Sequence, residues 1–275
     1  MTSYLRPRTL EEAAVARAAY PDWMVLAGGT DLMVNANHKP TPAGIIDLWR
    51  LAELGFIRVE ADAIVIGAGT TWHEVERHPA IREKLRPLAL AAKEIGALQI
   101  QARGTLGGNV GTSSPVGDSL PVLLALDATI EVASVRGRRS IPYHAYCTGY
   151  RKTQLAADEL IVAAHVPLPS ATTRTTWRKV GTRRAQSISK VMGAAAITLD
   201  GGVVTSARIA LGAVADRPMR ITAVEDAVKG LALAQAADAA RMALRTAIQP
   251  IDDVRSTALY RRDVAENLVA RFFTS

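Results

Sequence analysis

The hydrophobic positions of this chain change period several times, and each change marks an element. Apolar side chains recur at helical spacing over residues 9–19. There Thr9-x-x-Glu12 reads as a capping pair: Thr9 is the N-cap, Glu12 its reciprocal partner, and Val15, Ala18 and Ala19 the inner face. Residues 23–27 then read as a strand that stops at Gly28-Gly29, a common way to bring backbone close to a ligand. Strand-like runs follow at 45–48, 55–59 and 63–68. The run Ala63-Ile64-Val65-Ile66-Gly67 has strand length and no polar position, which predicts burial on both faces. Thr71 is placed to cap a short helix near 72–77, and residues 85–95 form a stronger helix that tolerates Pro87 in its first turn.

Between residues 97 and 117 the periodicity fails. Gly104, Gly107, Gly108, Gly111 and Gly117 fall in a stretch with few charges, a pattern that predicts a loop or short strand wrapping a ligand. A helix over 119–125 follows Asp118. A hairpin of strands 129–135 and 138–141 turns at Gly137, and a strand over 159–166 closes this half. Pro167-Leu168-Pro169-Ser170-Ala171-Thr172-Thr173 reads as a linker. It divides the chain into 1–170 and 171–275. Beyond it come strands 175–180, 193–199 and 203–213, the last two joined by Asp200-Gly201-Gly202, and helices over 222–229, 234–247 and 260–273. Strands followed by helices predict an α+β domain with the helices on one sheet face.

Composition narrows the classes. With 275 residues, 49% of them hydrophobic, the chain can bury a real core in about two domains. Its apolar runs are too short to span a bilayer and its start lacks the apolar stretch of a secretory signal, so a cytoplasmic protein is expected. Cys147 is the single cysteine. One thiol forms no internal disulfide, four-thiolate cluster or structural zinc site, and reads as packed and inert. His38, His73, His78, His144 and His165 lack metal-ligand spacing. The net charge of +7 comes from dispersed residues, apart from Arg136-Gly137-Arg138-Arg139 and basic residues between 178 and 184. With few aromatics for stacking bases, nucleic acid is not the expected partner. A positive field suits an anionic cofactor or an acidic partner subunit.

The candidate chemistry lies in Ala27-Gly28-Gly29-Thr30-Asp31 and Thr105-Leu106-Gly107-Gly108-Asn109. A dinucleotide pyrophosphate needs unobstructed backbone N–H groups and short hydroxyl or amide donors. Neither segment is a G-x-G-x-x-G or Walker A motif, and on composition alone a tight turn and a ligand loop both stay open.

Family resemblance separates them. Leu26-Ala27-Gly28-Gly29-Thr30-Asp31-Leu32, Thr105-Leu106-Gly107-Gly108-Asn109 and Ser114-Pro115-x-x-Asp118-Ser119-x-Pro121 resemble the FAD-binding subunit of molybdenum hydroxylases, the xanthine dehydrogenase, carbon monoxide dehydrogenase and aldehyde oxidoreductase family. Thr148-Gly149-Tyr150-Arg151-Lys152-Thr153 and Pro250-Ile251-Asp252-Asp253-Val254-Arg255-Ser256-Thr257, followed by Tyr260-Arg261, extend the match through the chain. The resemblance implies an α+β fold: a two-subdomain FAD domain of the vanillyl-alcohol-oxidase type, with subdomains of about 1–54 and 55–170, then a C-terminal α+β domain of the carbon monoxide dehydrogenase flavoprotein type over 171–275. It implies that backbone N–H groups from Ala27 to Asp31, after Leu26, hold the FAD pyrophosphate and that Leu32 approaches the ring. Thr105, Gly108, Asn109 and Thr112 would complete the phosphate and ribityl contacts. Asp118 would meet the adenosine ribose or a nearby polar group, and Ile161 and Lys179 the isoalloxazine. No residue of this chain is assigned as a catalytic acid or base, and no metal ligand is expected.

The implied assembly, a dimer of heterotrimers, puts [2Fe–2S] clusters on a small partner and molybdopterin on a large one. FAD here would pass electrons to NAD⁺ or another acceptor. A subunit that has lost its flavin and serves as scaffold, or a stand-alone flavin oxidase, are the alternatives. Two departures stand out. Ile95 takes the place where some relatives lay an aromatic ring on the flavin, and the cysteines of the 4-hydroxybenzoyl-CoA-reducing relatives are missing. Asp47 reads as a strand-end hydrogen-bonding residue, and Asp252, Asp253 and Arg255 as an ion-pair and capping cluster. Tyr150-Arg151-Lys152 reads as structural or as a cofactor or partner contact, and Arg183 and Arg184 face either the cleft or solvent.

Overall fold

In the computed structural model, which describes residues 2–34, 36–183 and 186–274, the chain builds three main sheets in sequence. The first is parallel, in the order β1-β3-β2, from β1 (Ser3–Leu5), α1 (Leu10–Ala19), β2 (Met24–Leu26) and β3 (Gly44–Asp47). Thr9 caps α1 by accepting from the Glu12 N–H at 3.1 Å. The return bond differs from the expected reciprocal one: the Glu12 carboxylate accepts from the N–H of Arg8, at 2.7 Å. The inner face differs too. Leu10, Ala13 and Ala14 are buried, while Val15 is 56% exposed, because the close approach of α1 to the sheet selects the small side chains at 13 and 14.

The second sheet is antiparallel, in the order β4-β5-β10-β6-β7. Its chain order is β4 (Ile57–Val59), β5 (Ala63–Gly67), α2 (Trp72–Arg77), α3 (Pro79–Lys84), α4 (Arg86–Glu94), α5 (Leu98–Gln101), α6 (Leu106–Thr112), α7 (Leu120–Ala125), β6 (Thr129–Ser134), β7 (Gly137–Pro142), α8 (Tyr143–Tyr146), the small hairpin β8 (Cys147–Gly149) and β9 (Lys152–Thr153), and β10 (Leu160–Pro167). On β5, Ile64, Val65 and Ile66 are all fully buried, as an uninterrupted apolar strand requires, with Val65 in one cluster and Ile64 and Ile66 in the other. The glycine-rich stretch is not the expected loop or strand. It folds into α5 and α6, so Gly107 and Gly108 sit in the first turn of a helix capped by Thr105.

The third sheet, order β11-β12-β13-β14, comprises β11 (Thr173–Val180), β12 (Val191–Asp200), β13 (Val203–Gly212) and β14 (Met219–Arg220). It is followed by α9 (Thr222–Val228), α10 (Leu233–Leu244) and α11 (Ala258–Arg271). Its strands alternate between two cores. Ala195, Ile197, Ile209 and Leu211 pack under α9, α10 and α11. Trp177, Ala194, Ala196 and Ala210 face the other way and join the core of the second sheet, against α7. Small alanines on that face let the two halves share one continuous core. No helix among the described residues is long and apolar enough to cross a membrane.

Candidate functional site: two glycine walls

The first wall is the turn after β2. Leu48 N–H donates to Leu26 O at 2.7 Å and fixes where the strand ends. Gly29 then adopts φ +77, a left-handed conformation that costs glycine nothing. Carbonyls of this turn are used: Gly29 O accepts from Met33 N–H, Asp31 O from Val34 N–H and Leu32 O from the Lys39 ammonium. Its N–H groups are not. Among the described residues none accepts from the backbone N–H of Gly28, Gly29, Thr30, Asp31 or Leu32. Gly28, Gly29, Thr30 and Leu32 are half-buried and Asp31 is exposed, so these N–H groups are open to an acceptor from outside the protein, as a backbone anion site requires.

The second wall is built differently from the first. Leu106 N–H donates to Thr70 O, Gly107 N–H to Ala68 O and Gly108 N–H to Thr105 Oγ1, at 3.0, 2.8 and 3.0 Å. These donors are therefore consumed inside the protein. What the wall offers is the outer face of α6, bare at Gly108 and Gly111, with Asn109 and Thr112 beside it. Ser119 Oγ donates to Asn109 Oδ1 at 2.7 Å, which holds the amide and leaves its NH₂ as a donor. Ile161 stands 3.4 Å from where a side chain on Gly111 would begin.

The walls touch. A Cβ on Gly28 would lie 1.7 Å from the carbonyl oxygen of Arg103, and one on Gly104 would lie 3.2 Å from Thr30 Oγ1. Arg151, itself at φ +52, reaches Asp31 at 3.5 Å, so the Tyr150-Arg151 segment braces the first wall.

Asp118 and Lys179 form a buried pair behind the second wall. Lys179 Nζ lies 2.6 Å from Asp118 Oδ2 and 3.2 Å from the carbonyl of Glu94, the residue before Ile95. Ser189 Oγ donates to Asp118 Oδ1 at 2.6 Å, and Trp177 Nε1 to Asp118 O at 3.0 Å. Burial pushes the Asp118 carboxyl up, while Lys179 and Ser189 pull it back. Sequence reasoning named Asp118 and Lys179 separately. Their pairing, and the parts of Ser119 and Ser189, depend on contacts between remote segments.

Other candidates fall elsewhere. Asp47 accepts from the Tyr4 hydroxyl and from Trp49 N–H, a structural use. Asp252 caps Ala258 N–H, and Asp253 binds Arg255, Ser256 and the buried Arg261. Within the basic cluster at 136–139, Arg136 pairs with Asp158, Arg138 with Glu131 and Arg139 with Glu159. Cys147 is half-buried, 3.0 Å from Ser113 Oγ. Arg183 donates to Gln186 O, and Arg184 lies outside the described residues.

Residues 1–169 match the family described as the FAD binding domain in molybdopterin dehydrogenase, and 177–275 that of the CO dehydrogenase flavoprotein C-terminal domain. This chain belongs to the FAD-binding subunits of the molybdenum hydroxylase family. The nicotinate dehydrogenase FAD-subunit of Eubacterium barkeri is 33% identical over 98% of this chain and 94% of its own length. A putative xanthine dehydrogenase FAD-binding subunit of Escherichia coli is 34% identical over 84% of this chain and 80% of its own. The structure of the carbon monoxide dehydrogenase from Hydrogenophaga pseudoflava superposes with a TM-score of 0.94 at 31% identity, covering 98% of this chain and 95% of that one. The fold is thus the α+β flavoprotein fold of this family, and the chain is an oxidoreductase subunit with FAD as its cofactor.

Proposed function

We propose that this chain is the electron-transfer flavoprotein of a cytoplasmic, molybdopterin-dependent hydroxylase. In this reading a small partner carries [2Fe–2S] clusters, a large one carries molybdopterin, and two such heterotrimers pair. FAD, when bound, supplies the change from single-electron arrival to two-electron delivery, with NAD⁺ or another acceptor at the end. The observation that carries the reading is the run of N–H groups from Gly28 to Leu32 that find no acceptor among the described residues, a run that fits a pyrophosphate. The lone Cys147 supports placing every cluster on another chain.

The division of labour follows from the two walls. Residues Ala27 to Asp31 bind the pyrophosphate through backbone. Thr105, Gly108, Asn109 and Thr112 serve the ribityl side, with Asn109 donating through the NH₂ that Ser119 orients. Leu32, Ile161 and Ile95 shape the ring site, and the pair Asp118–Lys179 supplies a buried, balanced charge behind it. We assign the cofactor domain to 1–170 and the covering domain to 171–275. Relatives of similar identity are named for nicotinate, glyceraldehyde, xanthine and carbon monoxide, which supports a substrate pocket on another chain.

The test is to strip flavin from the purified complex. Substrate should still reduce the iron–sulfur clusters, NAD⁺ or dye reduction should stop, and added FAD should restore it. Full acceptor reduction by the flavin-free complex would contradict the proposal.

A further inference from the structure

The contact between Gly28 and the Arg103 carbonyl means that whatever fixes residue 103 also fixes the first wall. Its backbone is held locally. Arg103 N–H and Gly104 N–H both donate to Ile100 O, and Gly104 O accepts from Trp72 N–H. Its side chain does something else: it crosses to the first sheet, where the guanidinium lies 4.0 Å from the centre of the Trp49 ring. Trp49 is tied in turn to the end of β3 by its N–H to Asp47 Oδ1, at 2.8 Å, and the neighbouring Leu48 N–H holds the end of β2. The path closes on itself, from β2 through the Gly28 turn to Arg103, across to Trp49, and back through β3 to β2. In that ring the Trp49–Arg103 stack and the Gly28 contact are the links between residues of the first sheet region and those of the second.

We propose that the Trp49–Arg103 stack is a positioning clamp that holds the two glycine walls at the separation FAD requires. The proposal rests on the FAD reading above. A cation over an indole face suits the task, since it resists both sliding and parting and works at a half-exposed site. Arg50 also approaches the Trp49 ring, at 6.0 Å, but it comes from the same side of the chain and links nothing across the walls.

The experiment uses the full chain with Trp49→Leu, Arg103→Met, both together, Arg103→Lys, and Arg50→Gln. FAD affinity is read by flavin fluorescence, and hydrogen exchange of segments 22–34, 45–50 and 98–106 is read without FAD. Each single change should weaken FAD by about two- to five-fold, the range expected of an exposed cation–π pair. The double variant should be no worse than the poorer single, Arg103→Lys should recover part of the loss, and Arg50→Gln should match the parent. Without FAD, exchange at Leu48, Trp49 and Gly104 should quicken in Trp49→Leu and Arg103→Met. Effects that multiply in the double variant, or unchanged exchange in both singles, overturn the clamp. A parent chain that binds no FAD defeats the functional reading instead, and the exchange data still decide the clamp.

Discussion

Replacing Gly28 by alanine tests the contact of the walls most sharply. The new Cβ would stand 1.7 Å from the Arg103 oxygen and 2.5 Å from its carbonyl carbon. Relief to van der Waals distance requires the walls to part by about 1.5–2 Å. No flexible side chain can give way, because both obstacles are backbone and the 103–104 peptide is tied to Ile100 and Trp72. Overpacking by one methyl costs about 1–3 kcal/mol, and backbone against backbone places this case at the upper end. The cost must emerge in one of two ways. Either the walls part and FAD binds about 100-fold more weakly, or the strain is retained and the flavin-free chain loses about 3 kcal/mol of stability. Flavin titration and urea unfolding of the same sample measure both. Gly55→Ala is the control, because a Cβ there meets nothing within 4 Å. If Gly28→Ala matches the parent in both affinity and stability, the apposition of the loops is wrong.

Three further outcomes follow from the packing. Lys179→Met strips the buried Asp118 carboxyl of its cation, and should cost about 3–5 kcal/mol in urea unfolding, much of which Lys179→Met with Asp118→Leu should recover. Glu159 is held below the ordinary carboxylate range chiefly by Arg139, at 2.6 Å, helped by Ala156 N–H and opposed by burial. A depressed folded-state pKa stabilises above the unfolded value and is lost as pH falls through the folded one. The melting-temperature gap between the parent and Glu159→Gln should therefore hold above about pH 5 and close below about pH 4. Arg261→Met abandons the carbonyls of Lys190 and Ala213 and the Asp253 carboxylate, and should cost about 3 kcal/mol by the same unfolding assay.

Much of the architecture was legible where local physics decides it. Thr71 and Glu74 form a full capping box at the start of α2, and Asp200-Gly201-Gly202 turns β12 into β13. The failures have a common cause. In α1 the run Leu-Glu-Glu-Ala-Ala-Val-Ala-Arg-Ala-Ala is apolar on more than one side, so only the sheet beneath it selects Ala13 and Ala14. In α6, the density of glycine reads as a loop or short strand, whereas in the fold Leu106 and Gly107 are held by Thr70 and Ala68 carbonyls from a remote strand end. The site shows the same limit. Motifs named both walls, but the unequal use of their N–H groups, the Asn109–Ser119 and Asp118–Ser189 bonds, and the Trp49–Arg103 stack exist only once distant segments meet.

The central claim is that the unpaired donors of the Gly28–Leu32 turn receive FAD, and the flavin content of the chain tests it most directly. The purified full chain is mixed with excess FAD, desalted, and its visible spectrum and protein concentration measured. The account predicts one FAD per chain, retained through desalting and lost in Gly28→Ala when the walls part. A colourless protein that stays folded would contradict it.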